Sequence, residues 1–412
     1  MDSHQFSMPA GWVRRSLGEI LQTPLSGQSV DANGAPAAGG GPAVLRLSAV
    51  VDGSFVPSEN KAIPSGDLGR CRVAISADSI LISRSNTLEM VGAVAYVDTD
   101  HPDLYIPDLL WLAKRRPESD CCLKWLAYVL TSRTYRKAIQ RIASGTSESM
   151  KKITKPAFLA VHVACPPAAE QRQIAESISS WDQAIAVATA LIGAKRTLRK
   201  ALMQRLLDGK LRLSGPGGSH WQPVELRRFL VPRFRPVPRP GQPYAGLGVR
   251  SHGKGTFRKW IAVPEEVMMD TLYAVSKDDL VANITFAWEG AVAVADQSDE
   301  GLLVSHRFPT YEFNRDIMIP EFFGYLLQTR RFVHQLGLIS PGGAGRNRVM
   351  SKTDFLALVV PIPTVDEQRR IADALLAADQ EIALLEELLI ALKAQRRSLI
   401  QGLATGLLRV RV

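Results

Sequence analysis

The sequence predicts a mixed α/β fold used twice. In each copy a globular part is followed by a long helix, and the two helices pair antiparallel as a coiled coil about a pseudo-two-fold axis. Three observations predict this. First, residues 170–213 and 367–410 align without a gap at an offset of 197, with 18 of 44 positions identical. Self-similarity at a fixed period marks a repeated architectural unit. Second, apolar residues in both segments recur in alternating steps of four and three, a heptad seam. Third, the stretches before the two segments alternate strand-like and helix-like runs, as a mixed α/β domain does.

The offset extends upstream. Phe158-Leu159-Ala160 matches Phe355-Leu356-Ala357, Lys155 matches Lys352, and Pro166 matches Pro363. Tyr128, Leu130 and Arg133 match Tyr325, Leu327 and Arg330. The beginnings align more loosely, with Trp12 and Leu17 against Trp221 and Leu226. The helices are therefore far more alike than the globular parts. Two similar frames with different faces suggest two similar tasks on different targets.

The predicted organisation is a globular part over 1–165, a first helix over 166–213, a linker over 214–220, a second globular part over 221–362 and a second helix over 363–412. In the first part, 43–51, 71–75 and 90–97 read as strands and 106–115 and 122–142 as helices, while 24–42 reads as a Gly/Ala/Pro-rich loop. The second part repeats the plan, with strands at 280–284 and 291–295 and a helix near 320–335. Prolines at 166–167 and at 361 and 363 stop the preceding strands and set each helix entry; Gly209 ends the first helix.

The first seam runs through Ile174, Ile178, Trp181 and Ile185, and the second through Ile371, Leu375, Ile382, Leu385 and Leu389, broken later only by Arg396. A helix of about 38 residues is about 57 Å long. So long a seam cannot be buried on a small globular part alone. It predicts that each helix takes the other as its partner.

Composition bounds the function. The chain has 412 residues, 46% hydrophobic and 22% charged, so it is an ordinary globular sequence. No apolar run is long enough to span a membrane, and no signal peptide is expected at the start. Four cysteines (Cys71, Cys121, Cys122, Cys165) show no C-x-x-C spacing and predict reduced thiols in a cytoplasmic protein.

Charge is informative by its location. The net charge is +10, and between Glu225 and Glu265 there is no acid but nine basic residues. Arg227, Arg228, Arg233, Arg235, Arg250, Lys254, Arg258 and Lys259 are candidates for DNA contact, interleaved with Phe229, Phe234, Tyr244, Phe257 and Trp260. Arginine and lysine on a loop-rich surface bind phosphates, and arginine can read guanine edges. Two glycine-containing turns before the helices add cations: Ser144-Gly145-Thr146 leads to Lys151 and Lys152, and the glycines at 342–345 lead to Arg346 and Arg348. Such turns let a backbone approach phosphate closely. Arg84 and Arg307 are further candidates.

Catalytic signatures are absent. The run Gly248–Gly255 resembles a phosphate-binding loop but ends in glycine where Ser or Thr would ligate Mg²⁺. There is no Asn/Asp-Pro-Pro-aromatic motif and no glycine-rich cofactor loop. The seven histidines are scattered at no ligand spacing, so no metal site is expected.

At this point the pattern resembles a known family, the specificity (S) subunits of type I restriction–modification systems. The resemblance rests on the helix entries Pro166…Glu170-Gln171-Arg172-Ile174-Ala175 and Pro363…Glu367-Gln368-Arg369-Ile371-Ala372. It rests also on the helix ends Leu206…Gly209…Leu211 and Leu403…Gly406…Leu408, and on the run Asp279-Leu280-Val281…Asn283…Trp288…Gly290-Ala291. It covers nearly the whole chain. The resemblance implies two target-recognition domains, each reading one half of a split double-stranded DNA sequence, and helices that act as a spacer ruler. It implies docking to two DNA adenine methyltransferase subunits, with a restriction–translocase subunit as a further partner. It implies no active site on this chain, with S-adenosylmethionine, ATP and Mg²⁺ on the partners. The opening 24–42 stretch, rich in Gly and Ala after Thr23-Pro24, departs from the family's pattern, so no DNA contact is assigned there. Apart from the resemblance, a stand-alone bivalent DNA-binding regulator is the alternative, and an enzyme with an unrecognised site a third reading.

Overall fold

The computed structural model describes residues 8–30, 34–37, 40–51, 53–145, 150–213, 220–342 and 348–410. The chain divides into two units, Met1–Ala190 with Glu387–Val412, and Leu191–Glu386. Each contains one globular part, one end of the first long helix (Ala168–Leu207) and one end of the second (Val365–Thr405).

In the first unit a four-stranded antiparallel sheet orders Val94–Val97, Ser79–Ser83, Leu110–Lys114 and Leu25–Ser26. A second sheet orders Asn60–Ala62, Ala43–Leu45, His101–Tyr105 and Ala74–Ile75, with one parallel pair. Residues from both sheets, including Leu45, Ile75, Leu81, Ala95 and Leu112, form one small core. The main core lies on the other side, where Trp111, Trp125, Phe158 and Ile139 meet Ile174 and Ile178 of the first long helix and Ile400 and Leu403 of the second.

The expected helix at 106–115 is a strand, Leu110–Lys114. Its run Leu-Trp-Leu-Ala is buried on both faces between two neighbouring strands, and a short apolar run after proline has no period that separates the two states. Part of the expected 24–42 loop, Leu25–Ser26, pairs with that strand. The expected helix at 122–142 divides at Ser132, which is extended, into Leu123–Thr131 and Arg133–Arg141. Thr329 divides the second unit's helical stretch likewise, into Pro320–Leu326 and Arg330–Leu338.

In the second unit one sheet orders Leu230–Arg233, Thr310–Phe313, Leu280–Ala282 and Val292–Val294, and a five-stranded sheet orders Pro236–Pro238, Thr271–Ala274, Leu303–Val304, Tyr244–Val249 and Thr256–Ile261. The proline-bearing strands sit at sheet edges, where a missing N–H costs least. The core is rich in phenylalanine: Phe323 makes edge-on contacts with Phe229, Phe313 and Phe332 at 5.5–5.6 Å. Ile371 and Leu375 of the second long helix and Leu206 and Leu207 of the first complete it.

The helix entries repeat closely. Val13–Ser16 pairs with His162–Cys165, and Gln222–Glu225 with Val359–Ile362, each antiparallel and each leading into a long helix through proline. In the first unit Gln171 donates to the Pro166 carbonyl and accepts the backbone N–H of Cys122, at 2.9 Å each. In the second, Gln368 donates to the Pro363 carbonyl at 3.1 Å and accepts the N–H of Ile319 at 3.0 Å. Beyond the helices, Gly209 (φ 67°) and Gly406 (φ 73°) adopt the left-handed conformation that ends a helix and that only glycine enters freely.

Candidate nucleic-acid interface

The second unit's acid-free segment is not loop-rich: after the edge strands Leu230–Arg233 and Pro236–Pro238 it forms a β-hairpin. Tyr244–Val249 pairs with Thr256–Ile261, with Leu247 opposite Arg258 and Gly248 opposite Phe257. The outer strand is the sheet's edge, and Phe257, Arg258, Lys259 and Trp260 are all exposed, Trp260 by 67%. Alternation along a strand places Arg258 and Trp260 on one face and Phe257 and Lys259 on the other. Sequence reading missed the hairpin because neither face of this strand is buried, so no apolar alternation marks it. Gly248 leaves room for the Phe257 ring, which lies where a Cβ would be, and the Arg250 guanidinium stacks on that ring at 5.1 Å. Cations on an exposed edge discourage strand addition by other chains and attract phosphate.

Other candidates divide by what already holds them. Arg233 pairs with Glu312, Arg227 with Glu225 at 2.9 Å, and Arg258 donates to the Ser298 carbonyl. Arg235 is bidentate to buried Asp279, whose carboxyl is raised by burial and pulled back by that arginine. Its guanidinium is thus occupied in holding the turn before Leu280. Arg228, Lys254, Lys259 and Arg307 are exposed and make no ion pair among the described residues. Arg348 lies on the face of Trp288, 5.3 Å from the ring centroid.

In the first unit the structure brings three candidates together. Lys151-Lys152 forms a short strand against Ser85-Asn86, next to Arg84, and the Ile153 N–H donates to the Arg84 carbonyl at 3.0 Å. The Lys151 ammonium closes its own turn on the Gly145 carbonyl at 2.8 Å, while Lys152 is exposed. Thr146 and Arg346 lie outside the described residues.

The seam residues are placed as follows. Ile174, Ile178, Ile371 and Leu375 are fully buried in the unit cores; Trp181, Ile185, Ile382, Leu385 and Leu389 are half-buried. The two long helices pack together and run in opposite directions in each unit. In the first unit Asp182 pairs with Arg396, and Glu170 with Arg409 beyond the helix end. In the second, Arg199 pairs with Asp379, Lys195 with Glu381 and Arg196 with Glu386.

Sequence reasoning missed the polar devices built on these pairs. The Tyr128 hydroxyl donates to Asp182 at 2.6 Å, and the Arg396 guanidinium lies over the Tyr128 ring at 5.6 Å. In the second unit Tyr325 donates to Asp379 at 3.0 Å and Arg199 lies over its ring at 5.7 Å. All three residues are related by the same offset of 197. In each triad the tyrosine and aspartate come from one repeat and the arginine from the other. The break in the heptad seam at Arg396 is therefore a polar pin, 8% exposed and filled by its partner. A clasp repeats the exchange. Arg409 is bidentate to buried Glu170 at 2.6 and 2.8 Å and lies over Trp12, while Arg212 is bidentate to buried Glu367 at 2.7 Å. The signal that could have found these was identity at the repeat offset in polar residues, not apolar ones.

Among the described residues there is no cluster of His, Cys, Asp or Glu able to hold a metal ion, and no helix long and apolar enough to cross a membrane. All four cysteines are free thiols.

Residues 241–394 match the family model described as the type I restriction modification DNA specificity domain. Over 98% of its length the chain is 23% identical to a putative type I restriction enzyme MjaX specificity subunit of Methanocaldococcus jannaschii, of which 95% is covered. Among solved structures it is similar to the S subunit of the type I restriction–modification system of M. genitalium (TM-score 0.55, 13% identity, 98% of each chain covered). It is likewise similar to the HsdS subunit of Thermoanaerobacter tengcongensis (TM-score 0.53, 17% identity, covering 99% of this chain and 100% of that one).

Proposed function

We infer that the chain is a specificity subunit of the type I restriction–modification family and that its task is to give such a complex its DNA sequence specificity. Each unit reads one half of a bipartite duplex target. The observation that carries this reading is the repeat itself: matched helix entries, clasps and triads hold two globular parts whose surfaces differ. A two-stranded ribbon fits the major groove, and each good bidentate base contact there discriminates by about 1–3 kcal/mol. The hairpin of the second unit, with Arg258 and Lys259 beside Trp260 and Phe257, supports that use. In the first unit Arg84, Lys151 and Lys152 form the corresponding basic face.

The paired helices serve as the spacer ruler. Their remaining exposed apolar side chains, Val187 and Leu198 on the first helix and Leu384 and Ile390 on the second, support docking of partner subunits. We assign that surface to two DNA adenine methyltransferase subunits, with a restriction–translocase subunit joining the complex in the cytoplasm. The chain itself is non-catalytic. We assign S-adenosylmethionine, ATP and Mg²⁺ to the partners.

Methylome sequencing of cells that express the chain with its cognate methyltransferase tests the reading. A bipartite methylated motif is expected. Inserting four residues into each long helix should change the tolerated spacer and leave both half-sites unaltered; altered letters would defeat the ruler. Methyl transfer or cleavage by the purified chain alone would defeat the non-catalytic assignment.

A further inference from the structure

The turn of the second unit's hairpin ends against a cavity of about 560 Å³, to which the DNA-contact candidates described above contribute only Arg348. Its lining combines the Trp288–Arg348 stack with Arg330, His252 and His334. None of the described residues that line it is acidic. Neither Arg330 nor Arg348 makes an ion pair among the described residues, and Glu289, which accepts a hydrogen bond from the Ser251 hydroxyl at 2.7 Å, does not line the cavity. Stacking on the indole removes freedom from the Arg348 guanidinium without using its N–H donors, so it is oriented with those donors still available.

The backbone supports the same conclusion. His252 is in the left-handed region at φ 64°, followed by Gly253 at φ 64°. A histidine there is uncommon and carries strain that surrounding structure must hold. It is held by two backbone bonds, His252 N–H to the Glu289 carbonyl at 2.7 Å and Gly253 N–H to the Gly290 carbonyl at 3.1 Å. These bonds fix the hairpin turn to the same short turn that presents Trp288.

We propose that this cavity is a phosphate grip for the DNA strand that runs past the hairpin, with Arg348 and Arg330 as its charged donors and Trp288 as the platform that positions Arg348. The proposal rests on the specificity-subunit reading. A phosphodiester suits the site better than a base, because the indole face a base would stack on is occupied by the guanidinium. In the first unit Lys151, at the position offset by 197 from Arg348, is instead folded onto its own turn.

The test measures duplex binding by the full chain in complex with its methyltransferase, over a range of salt concentrations. Each phosphate contact adds about 0.9 to the slope of log affinity against log salt. The variant Arg330→Gln/Arg348→Gln should lower the slope by about 0.9, because both arginines are assigned to one phosphate. It should also weaken cognate duplex and duplex scrambled in one half-site by the same factor, with the methylated motif unchanged. Arg330 is exposed and Arg348 half-buried, and unchanged circular dichroism and melting exclude a folding defect in this variant. Trp288→Leu should lower the slope by less, by releasing Arg348 rather than removing it. An unchanged slope in the double variant, or a changed letter in the methylated motif, overturns the grip while leaving the specificity assignment in place. Loss of any bipartite motif with the unaltered chain overturns the assignment instead.

Discussion

The two units share how they are held together and differ in what they show to solvent. Each closes with a Tyr–Asp–Arg triad and a buried glutamate gripped by arginine, and each arginine comes from the opposite repeat. Conversely, the first unit presents a short Lys151-Lys152 strand beside Arg84, and the second a long exposed hairpin with two aromatic and several basic side chains. The lesson is that the fold separates two physical tasks. Helix entries and pins must be conserved in kind for the helices to meet in register, since a buried polar pair specifies register at some cost in stability. Surface faces carry no such constraint and can diverge.

Four predictions sharpen this contrast. The largest effect is expected in the second unit's core, where Phe323 is fully buried among three other rings. Phe323→Ala should lower unfolding free energy by about 3–5 kcal/mol, read as a shift in the urea midpoint. A loss below 1 kcal/mol would show that the ring cluster is not the centre of that unit.

Next come the pins. Arg396→Ala leaves Asp182 without its guanidinium in a setting where Arg396 is only 9% exposed. The expected loss is about 2–3 kcal/mol, below the range for wholly buried pairs because Asp182 is itself a third exposed. Arg199→Ala should cost about 1–2 kcal/mol, since Arg199 and Asp379 are both more open and solvent screens them. Hydrogen exchange should localise each loss to its own unit. Equal losses would mean that burial does not distinguish the two pins.

Smaller still are the tyrosine hydroxyls. Tyr128→Phe removes a hydrogen bond to a carboxylate worth about 1.5 kcal/mol, and Tyr325→Phe, with the longer bond, about 1 kcal/mol. Denaturation of each variant beside the parent chain measures both.

Just above pH 10, the pH dependence of the buried tyrosines gives the smallest effect. Burial, and then the neighbouring aspartate, pushes Tyr128 upward; at Tyr325 burial again leads, and burial alone raises Tyr311 to about 12. A phenol with a raised pKa keeps its proton in the fold, whereas the unfolded chain releases it near pH 10. The stabilisation is therefore fully present below about pH 10 and is lost as pH rises toward the folded values. Urea midpoints should be level from pH 8 to 9.5 and fall above pH 10, less so in Tyr128→Phe. A midpoint that rises above pH 10 would reverse the assigned sign.

Much of the fold was legible in the sequence because a repeat compares the chain with itself. The offset of 197 located both helices, and the length of their seams required a partner helix. Strand Leu110–Lys114 was misread because a strand buried on both faces has lost its alternation, and the hairpin strand Thr256–Ile261 was unread because it is exposed on both. The basic candidates were found by composition, but composition cannot separate Arg235, tied to Asp279, from Lys259, which is open to solvent. Arg396 looked like a flaw in the seam; only its contact with Asp182 and Tyr128 explains it.

The central claim is that two unlike faces read two halves of one target. Methylome sequencing of cells carrying Arg258→Gln/Trp260→Leu with the cognate methyltransferase tests it most directly. The account predicts a motif in which one half becomes degenerate or changes while the other half and the spacer stay as in the parent. Simultaneous change of both halves, or a single uninterrupted motif in the parent, would contradict it.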